Sequence, residues 1–204
     1  MVPRGHKPLP PSVFPISIAS DSTGQYFATG GYDGGDIYTS SNYGFTWTQT
    51  SAPSANWRLI ASSSTGQYLA AVIDGGGIYT SSDYGVTWIQ TSAPSASWWS
   101  IAFSSTGQYL ASCGGGGIYT SSDYGAFWAL TSAPGAGWQS IASDSTGQYL
   151  AAGVNGGAAY TTAGTARRVQ SQVDDGSSVK DKINKLKAKI DNIKQRLAGN
   201  RGDL

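Results

Sequence analysis

An eight-residue box, Ser81-Ser82-Asp83-Tyr84-Gly85-Val86-Thr87-Trp88, recurs along this chain. Forty-one residues earlier stands Ser40-Ser41-Asn42-Tyr43-Gly44-Phe45-Thr46-Trp47, and forty residues later Ser121-Ser122-Asp123-Tyr124-Gly125-Ala126-Phe127-Trp128. A period near 41 residues constrains the fold more than any single motif does. It means that one supersecondary unit is repeated and that neighbouring units share their apolar faces.

The rest of the chain carries the same period. Four runs open the repeats: Pro15 to Ser20, Trp57 to Ser62, Trp98 to Phe103 and Trp138 to Ser143. A Ser-Thr-Gly turn follows each, then a second run beginning at Gln25-Tyr26, Gln67-Tyr68, Gln108-Tyr109 and Gln148-Tyr149. A Gly-rich turn leads to a third run such as Ile78-Tyr79-Thr80-Ser81, and the box turns the chain into a fourth, Thr87 to Thr91. Ser-Ala-Pro then breaks the pattern at Pro53, Pro94 and Pro134. Four short strands in about 41 residues predict an all-β fold, a β-propeller of four four-stranded blades. The small residues of the second strand, as in Tyr68-Leu69-Ala70-Ala71-Val72, are expected near the crowded central axis. The fourth repeat decays: Ala163-Gly164-Thr165 stands where the box would be. Its missing edge is expected to be filled by Arg167 to Val173 or by Ser12-Val13-Phe14, since a bare edge invites aggregation.

Composition agrees with this architecture. There are 28 Gly, seven Trp and twelve Tyr, only 12% of residues are charged, and there is no Glu. Residues 1–166 hold three Lys/Arg against seven Asp (3 − 7 = −4), whereas 167–204 hold ten against five (10 − 5 = +5). That asymmetry places a boundary near 166. Cys113 is the only cysteine, which excludes an intrachain disulfide, and its surroundings read as a small buried residue. Residues 1–14 form a Pro-rich extended arm with no apolar h-region. No stretch approaches 18 apolar residues, so no membrane-spanning helix is expected. Nothing in the charge pattern points to nucleic acid, and no cofactor or metal site is expected.

The motif Ser-x-Asp-x-Gly-x-Thr-Trp at 81–88 resembles the Asp box of BNR-type repeats, found in sialidases, sortilin-type receptors and photosystem II assembly factors. The resemblance spans roughly 15–165 and implies a β-propeller. In the first box Asn42 replaces Asp, and in the third Phe127 replaces Thr. Physically, the box residues Ser81, Asp83, Gly85, Thr87 and Trp88, with Asn42, Gly44 and Trp47 and with Asp123, Gly125 and Trp128, are expected to build turns. An Asp carboxylate in a tight turn accepts backbone N–H groups, Gly85 permits a positive φ, and Trp88 buries its ring between sheets.

The sialidase relatives imply an arginine cluster with Tyr, Glu and Asp chemistry, yet the repeats hold one arginine, Arg58, and no Glu. A hydrolytic pair would need two Asp, and Asp21, Asp33, Asp36, Asp74 and Asp144 all fall in Gly/Ser turns. The chain therefore reads as non-enzymatic. The residues expected to contact a ligand, a glycan or a receptor, are Asp33, Asp36, Asp74 and Trp99. Trp99 has no counterpart in the other repeats, whereas Trp98 is read as a packing residue.

After a linker at 174–178, residues Val179, Ile183, Leu186, Ile190, Ile193 and Leu197 are spaced 4, 3, 4, 3, 4. This predicts a heptad helix over 179–198. Its flanking positions are all Lys or Arg. The expected partners are further copies of the chain, with a trimer favoured, or a helix with acidic flanks, or an anionic surface. The tail 199–204 ends in Arg201-Gly202-Asp203, which resembles an integrin-binding tripeptide. Two functional expectations follow. One is an oligomeric binding or adhesion propeller on an extracellular or particle surface. The other is an intracellular assembly factor whose basic helix docks on an acidic partner; a glycan-active enzyme is the minor alternative.

Overall fold

The structure, a computed structural model, describes residues 15–162 and the short strand at 169–170. Two compact units are distinguished, 1–168 and 169–204. The N-terminal arm, the linker, the heptad segment and the Arg-Gly-Asp tripeptide lie outside the described residues. Of the second unit only one strand, Val169–Gln170, is described.

The first unit is all-β among its described residues. The first repeat contributes β1 (Pro15–Ser20), β2 (Phe27–Gly31), β3 (Ile37–Ser40) and β4 (Thr48–Gln49). The second contributes β5 (Trp57–Ser62), β6 (Leu69–Gly76), β7 (Ile78–Ser81) and β8 (Ile89–Gln90). Then come β9 (Ala96–Phe103), β10 (Leu110–Gly114), β11 (Gly117–Ser121) and β12 (Ala129–Leu130), followed by β13 (Trp138–Ser143), β14 (Leu150–Val154) and β15 (Ala158–Thr161). Within each repeat the strands pair antiparallel in chain order. The second and third repeats are further joined into one eight-stranded sheet, because the end of β6 pairs with the start of β9 (Asp74 with Ser97, Gly76 with Ala96). The fourth strands are only two residues long, shorter than the run Thr87 to Thr91 suggests, because the box turn occupies the residues before them.

Packing between repeats supplies the core. Three apolar clusters each bridge one consecutive pair. Ala28, Ile37 and Ala52 of the first repeat meet Trp57, Ile60 and Leu69 of the second. Ala70, Val72 and Ile78 meet Trp98, Ile101 and Leu110. Ala111, Cys113 and Ile118 meet Trp138, Ile141 and Ala152. Burying each of the isoleucines Ile60, Ile101 and Ile141 contributes roughly 1.5–3 kcal/mol. The alanines of the second strands thus serve the layer between repeats. They leave room for the Trp and Ile of the next repeat. From repeat to repeat the first strands meet one another, β1 with β5, β5 with β9 and β9 with β13, and each second strand meets the next first strand, β2 with β5, β6 with β9 and β10 with β13.

The turn between first and second strands repeats this logic with hydrogen bonds. Ser22 N–H donates to the Ser64 carbonyl (2.9 Å), Ser64 N–H to Ser105 (3.0 Å), and Ser105 N–H to Ser145 (2.8 Å). Each repeat is thereby docked to the next in one register.

Candidate binding surface

The box is a saturated turn. Asp83 Oδ1 accepts from the Ser81 hydroxyl (2.8 Å) and the Thr87 N–H (2.9 Å), and its Oδ2 accepts from the Thr87 hydroxyl (2.6 Å). Ser81 Oγ in turn accepts from Gly85 N–H (2.9 Å), and Trp88 Nε1 donates to the Gly85 carbonyl (3.1 Å). Asp123 keeps the same pattern with Ser121 (2.8 Å) and the Phe127 N–H (2.9 Å), and Trp128 closes onto Gly125 (3.0 Å). Asn42 reproduces it with a carbonyl: Oδ1 accepts from Ser40 and Thr46 N–H (both 3.0 Å), while Nδ2 donates to the Thr46 hydroxyl (2.9 Å). Gly44 N–H donates to Ser40 Oγ (3.0 Å). Trp47 lies with its ring 6.3 Å from Phe27.

Charge in these turns is stabilised by donors. For Asp83, burial pushes the pKa up, but donors from Thr87, Ser81 and Val86 outweigh it and the net direction is down. The Phe127 N–H, followed by the Ser121 hydroxyl, lowers that of Asp123. Asp21 and Asp144 occupy a second recurring turn. Asp21 accepts from Tyr26 N–H (2.8 Å) and from Thr23, and Asp144 from Tyr149 N–H (3.0 Å) and the Thr146 hydroxyl (2.6 Å). Burial raises the pKa of Asp21, but the Thr23 hydroxyl and backbone donors bring it below the usual value. That of Asp144 is lowered first by the Thr146 hydroxyl. Ser63 and Ser104 take the same acceptor role in the middle repeats, toward Tyr68 N–H (3.2 Å) and Tyr109 N–H (3.1 Å).

The acidic loop residues come together at the junction of the first two repeats. Asp36 is held by the Ser54 hydroxyl (2.6 Å) and Gln49 Nε2 (2.9 Å). Tyr32 points its hydroxyl to Asp74 (3.5 Å). Asn56 ties the two loops by accepting from Gly34 N–H (2.9 Å) and giving its carbonyl to Asp74 N–H (3.1 Å). Asp33 is exposed beside them with φ 59°. Asp36 is thus a loop fastener, whereas Asp33 presents its carboxylate outward.

A second grouping was not visible in the spacing. Each first strand carries a register irregularity at one place: between Pro15 and Ser17, between Trp57 and Leu59, between Trp138 and Ser140, and opposite Trp99 at Cys113/Gly114. Ile16, Arg58, Trp99 and Gln139 are the residues skipped by the ladder. A bulge re-aims its side chain out of the pleat, so four non-identical residues are presented at one level of successive repeats. Arg58 lies with its guanidinium 4.3 Å from the centre of the Trp99 ring, a cation–π pair. Arg58 is the only Lys or Arg among residues 15–162. Trp98, next door, is fully buried, donates Nε1 to the Pro94 carbonyl (3.2 Å) and meets Tyr119 edge-on. It is a packing residue, as its recurrence suggests.

Clefts also recur between repeats, behind the boxes. Two enclose about 300 and about 330 Å³. Each is closed by a stacked tyrosine pair, Tyr26 with Tyr84 and Tyr68 with Tyr124, both with centroids 4.7 Å apart. The third, lined by Tyr109, Phe127 and Trp128, is wider at about 440 Å³. The fourth repeat has no box tyrosine to stack on Tyr109. Among the described residues, no group of His, Cys, Asp or Glu is arranged to hold a metal ion.

With the geometry in hand, similarity to known proteins is informative about fold. The WD domain, G-beta repeat family matches residues 88–119, from the box tryptophan into the following repeat. No curated protein matches the chain. A chain of a nidogen/laminin complex superposes with a TM-score of 0.62 at 15% identity, over 74% of this chain and 61% of that one. The GH74 enzyme of Niastella koreensis gives 0.57 at 17% identity, over 72% of this chain and 22% of its own. YCF48 bound to a D1 peptide gives 0.52 at 17%, over 71% and 47%. The chain thus spans about a fifth of the GH74 enzyme. At these identities the likeness is one of fold alone, and the fold is a β-propeller.

Proposed function

We propose that this chain is a non-catalytic binding propeller of the Asp-box type, which engages a polypeptide partner on the surface carrying Ile16, Arg58, Trp99 and Gln139. The observation that carries this reading is the bulge repeated at one position in all four first strands. It presents the residues in which the repeats differ, while the residues they share are spent on turns and packing. Asp21, Asp83, Asp123 and Asp144 have their acceptor capacity engaged by their own turns, which suits a scaffold better than hydrolysis. Arg58 and Trp99 together offer one cation and one aromatic face, the residue types that dominate binding energy at protein surfaces. The exposed carboxylate of Asp33 adds an acidic feature. Two of the similar structures were solved with a partner, nidogen with laminin and YCF48 with a D1 peptide. The heptad segment at 179–198 is proposed as a self-association element, and its display with Arg201-Gly202-Asp203 fits a protein of an extracellular or particle surface.

A peptide array paired with a glycan array tests the reading. Peptides retained by the wild-type chain are expected to lose at least tenfold in affinity with Trp99→Ala or Arg58→Ala, with the tryptophan fluorescence of the folded state otherwise kept. Retention unaffected by both changes, or turnover of a glycoside abolished by replacing an Asp pair, overturns it.

A further inference from the structure

We propose that the first and fourth repeats are the two halves of one further inter-repeat interface, and that a second copy of this chain completes it. Two chains then share an eight-repeat ring. The inference rests on the repeat geometry and the propeller fold, not on the ligand surface or the heptad segment proposed above.

The contacts that recur between consecutive repeats have two unlike sides, one from the earlier repeat and one from the later. Both sides are left over, among the described residues, at opposite ends of the series. The serine relay runs from Ser22 to Ser145 and stops: Ser145 N–H has no next carbonyl, and the Ser22 carbonyl receives no N–H. Ile60 N–H donates to Ser17 Oγ (3.0 Å), and Ile141 N–H to Ser100 Oγ (3.2 Å). Ser140 and Ile18 are the same two positions at the free ends. Ile60, Ile101 and Ile141 are at most 5% exposed, whereas Ile18 is 63% exposed.

The tyrosine pattern is complementary in the same sense. A second-strand tyrosine stacks on the box tyrosine of the next repeat, Tyr26 on Tyr84 and Tyr68 on Tyr124. Tyr149 in the fourth repeat has no next box, and Tyr43 in the first box has no preceding tyrosine; both are 58% exposed. The turn glycines report the same step. A Cβ on Gly66, Gly107 or Gly147 would lie within 2.8 Å of the tyrosine of the preceding repeat, while one on Gly24 meets nothing within 4 Å. Tyr149 of one copy therefore fits over Gly24 and Tyr43 of the other, repeating a tyrosine–glycine contact built three times in the chain and a tyrosine pair built twice.

Among the described residues the free faces are not used: the succession β1, β5, β9, β13 does not return from β13 to β1 with comparable packing. Because the two ends differ, the contact is head-to-tail, and such contacts either close into a ring or propagate. Propeller rings close with about four to eight units. Two copies bring eight, and three would bring twelve, so two is the closing number.

Light scattering on the full chain tests this. The particle mass is expected to be an even multiple of the chain mass, and Ile18→Asp is expected to halve it. Ile89→Asp, an equally exposed change on the outer strand β8, is expected to leave it unchanged. Near-ultraviolet circular dichroism checks that each variant stays folded. Ile183→Asp, in the heptad segment, reads the tail separately, so failure of tail assembly is not failure of the ring. An odd multiple of the chain mass, a monomer at tens of micromolar, or a mass indifferent to Ile18→Asp overturns the proposal.

Discussion

Asp83 and Asn42 fill equivalent turns with different chemistry, which separates the hydrogen-bonding role of the box from its charge. Asp83→Asn is expected to fold with little loss, because Asn42 already makes the same acceptor contacts. Asp83→Ala strands the Thr87 N–H and the Ser81 and Thr87 hydroxyls, and is expected to cost roughly 1–3 kcal/mol in urea unfolding. The charge appears in the pH dependence. The folded pKa values of Asp21, Asp83, Asp123 and Asp144 are all depressed below the ordinary 3.8. The unfolded state therefore binds more protons in that window, and stability contributed by these groups is present above pH 3.8 and is lost as pH falls through the folded values. A melting temperature flat above about pH 5 and falling steeply below 3.8 is expected, with a shallower fall in Asp83→Asn. Cys113 is the opposite case. Burial pushes its thiol up to about 11, so it is expected to be inert to a thiol-specific disulfide reagent at pH 8 in the folded chain and to react within seconds once unfolded.

The turn–strand–turn element explains a residue choice that no propensity favours. Tyr43, Tyr84 and Tyr124 all sit at φ 60–61°, a left-handed conformation that costs a non-glycine residue roughly 1 kcal/mol. Stacking on the tyrosine of the preceding repeat offsets that cost for Tyr84 and Tyr124. Tyr84→Ala keeps the strain and loses the stack, while Tyr84→Gly loses the stack and relieves the strain. Urea unfolding is expected to place both below wild type, with the glycine variant about 1 kcal/mol above the alanine variant. The reverse order would show that backbone strain is not what the tyrosine compensates. Much of this element is legible in the sequence. The box spacing locates the turns, and the runs Trp57 to Ser62 and Trp138 to Ser143 coincide with β5 and β13. The Tyr26–Tyr84 pair is not legible, since its partners are 58 residues apart and both look like generic repeat aromatics. The bulges are not legible either. They are a property of register, and Ile16, Arg58, Trp99 and Gln139 share no side-chain chemistry by which to find them. Trp99 stood out only by lacking counterparts, and its pairing with Arg58 depends on how closely β5 and β9 approach.

At the scale of the whole first unit, stability is close to a sum of repeat terms and nearest-neighbour terms. The second and third repeats have two neighbours each; the first and fourth have one within the chain. The fourth also lacks a box tyrosine to pair with Tyr109, and the cleft beside Tyr109 is the largest of the three described. Local opening should follow this arithmetic, lowest at the ends and highest in the middle, because regions with fewer buried contacts open at lower free energy. Amide exchange on the full chain reads it residue by residue. The amides of Ile60 and Ser64, held by Ser17 and Ser105, are expected to be protected under all conditions. Those of Ile18 and Ser145 are expected to be protected only where a second copy supplies Ser140 and the Ser22 carbonyl. Their protection should therefore rise with protein concentration and vanish in Ile18→Asp, while the protection of β5 and β9 stays unchanged. Uniform protection in that variant would show that the end repeats are stabilised within one chain, and that a second copy adds nothing to them.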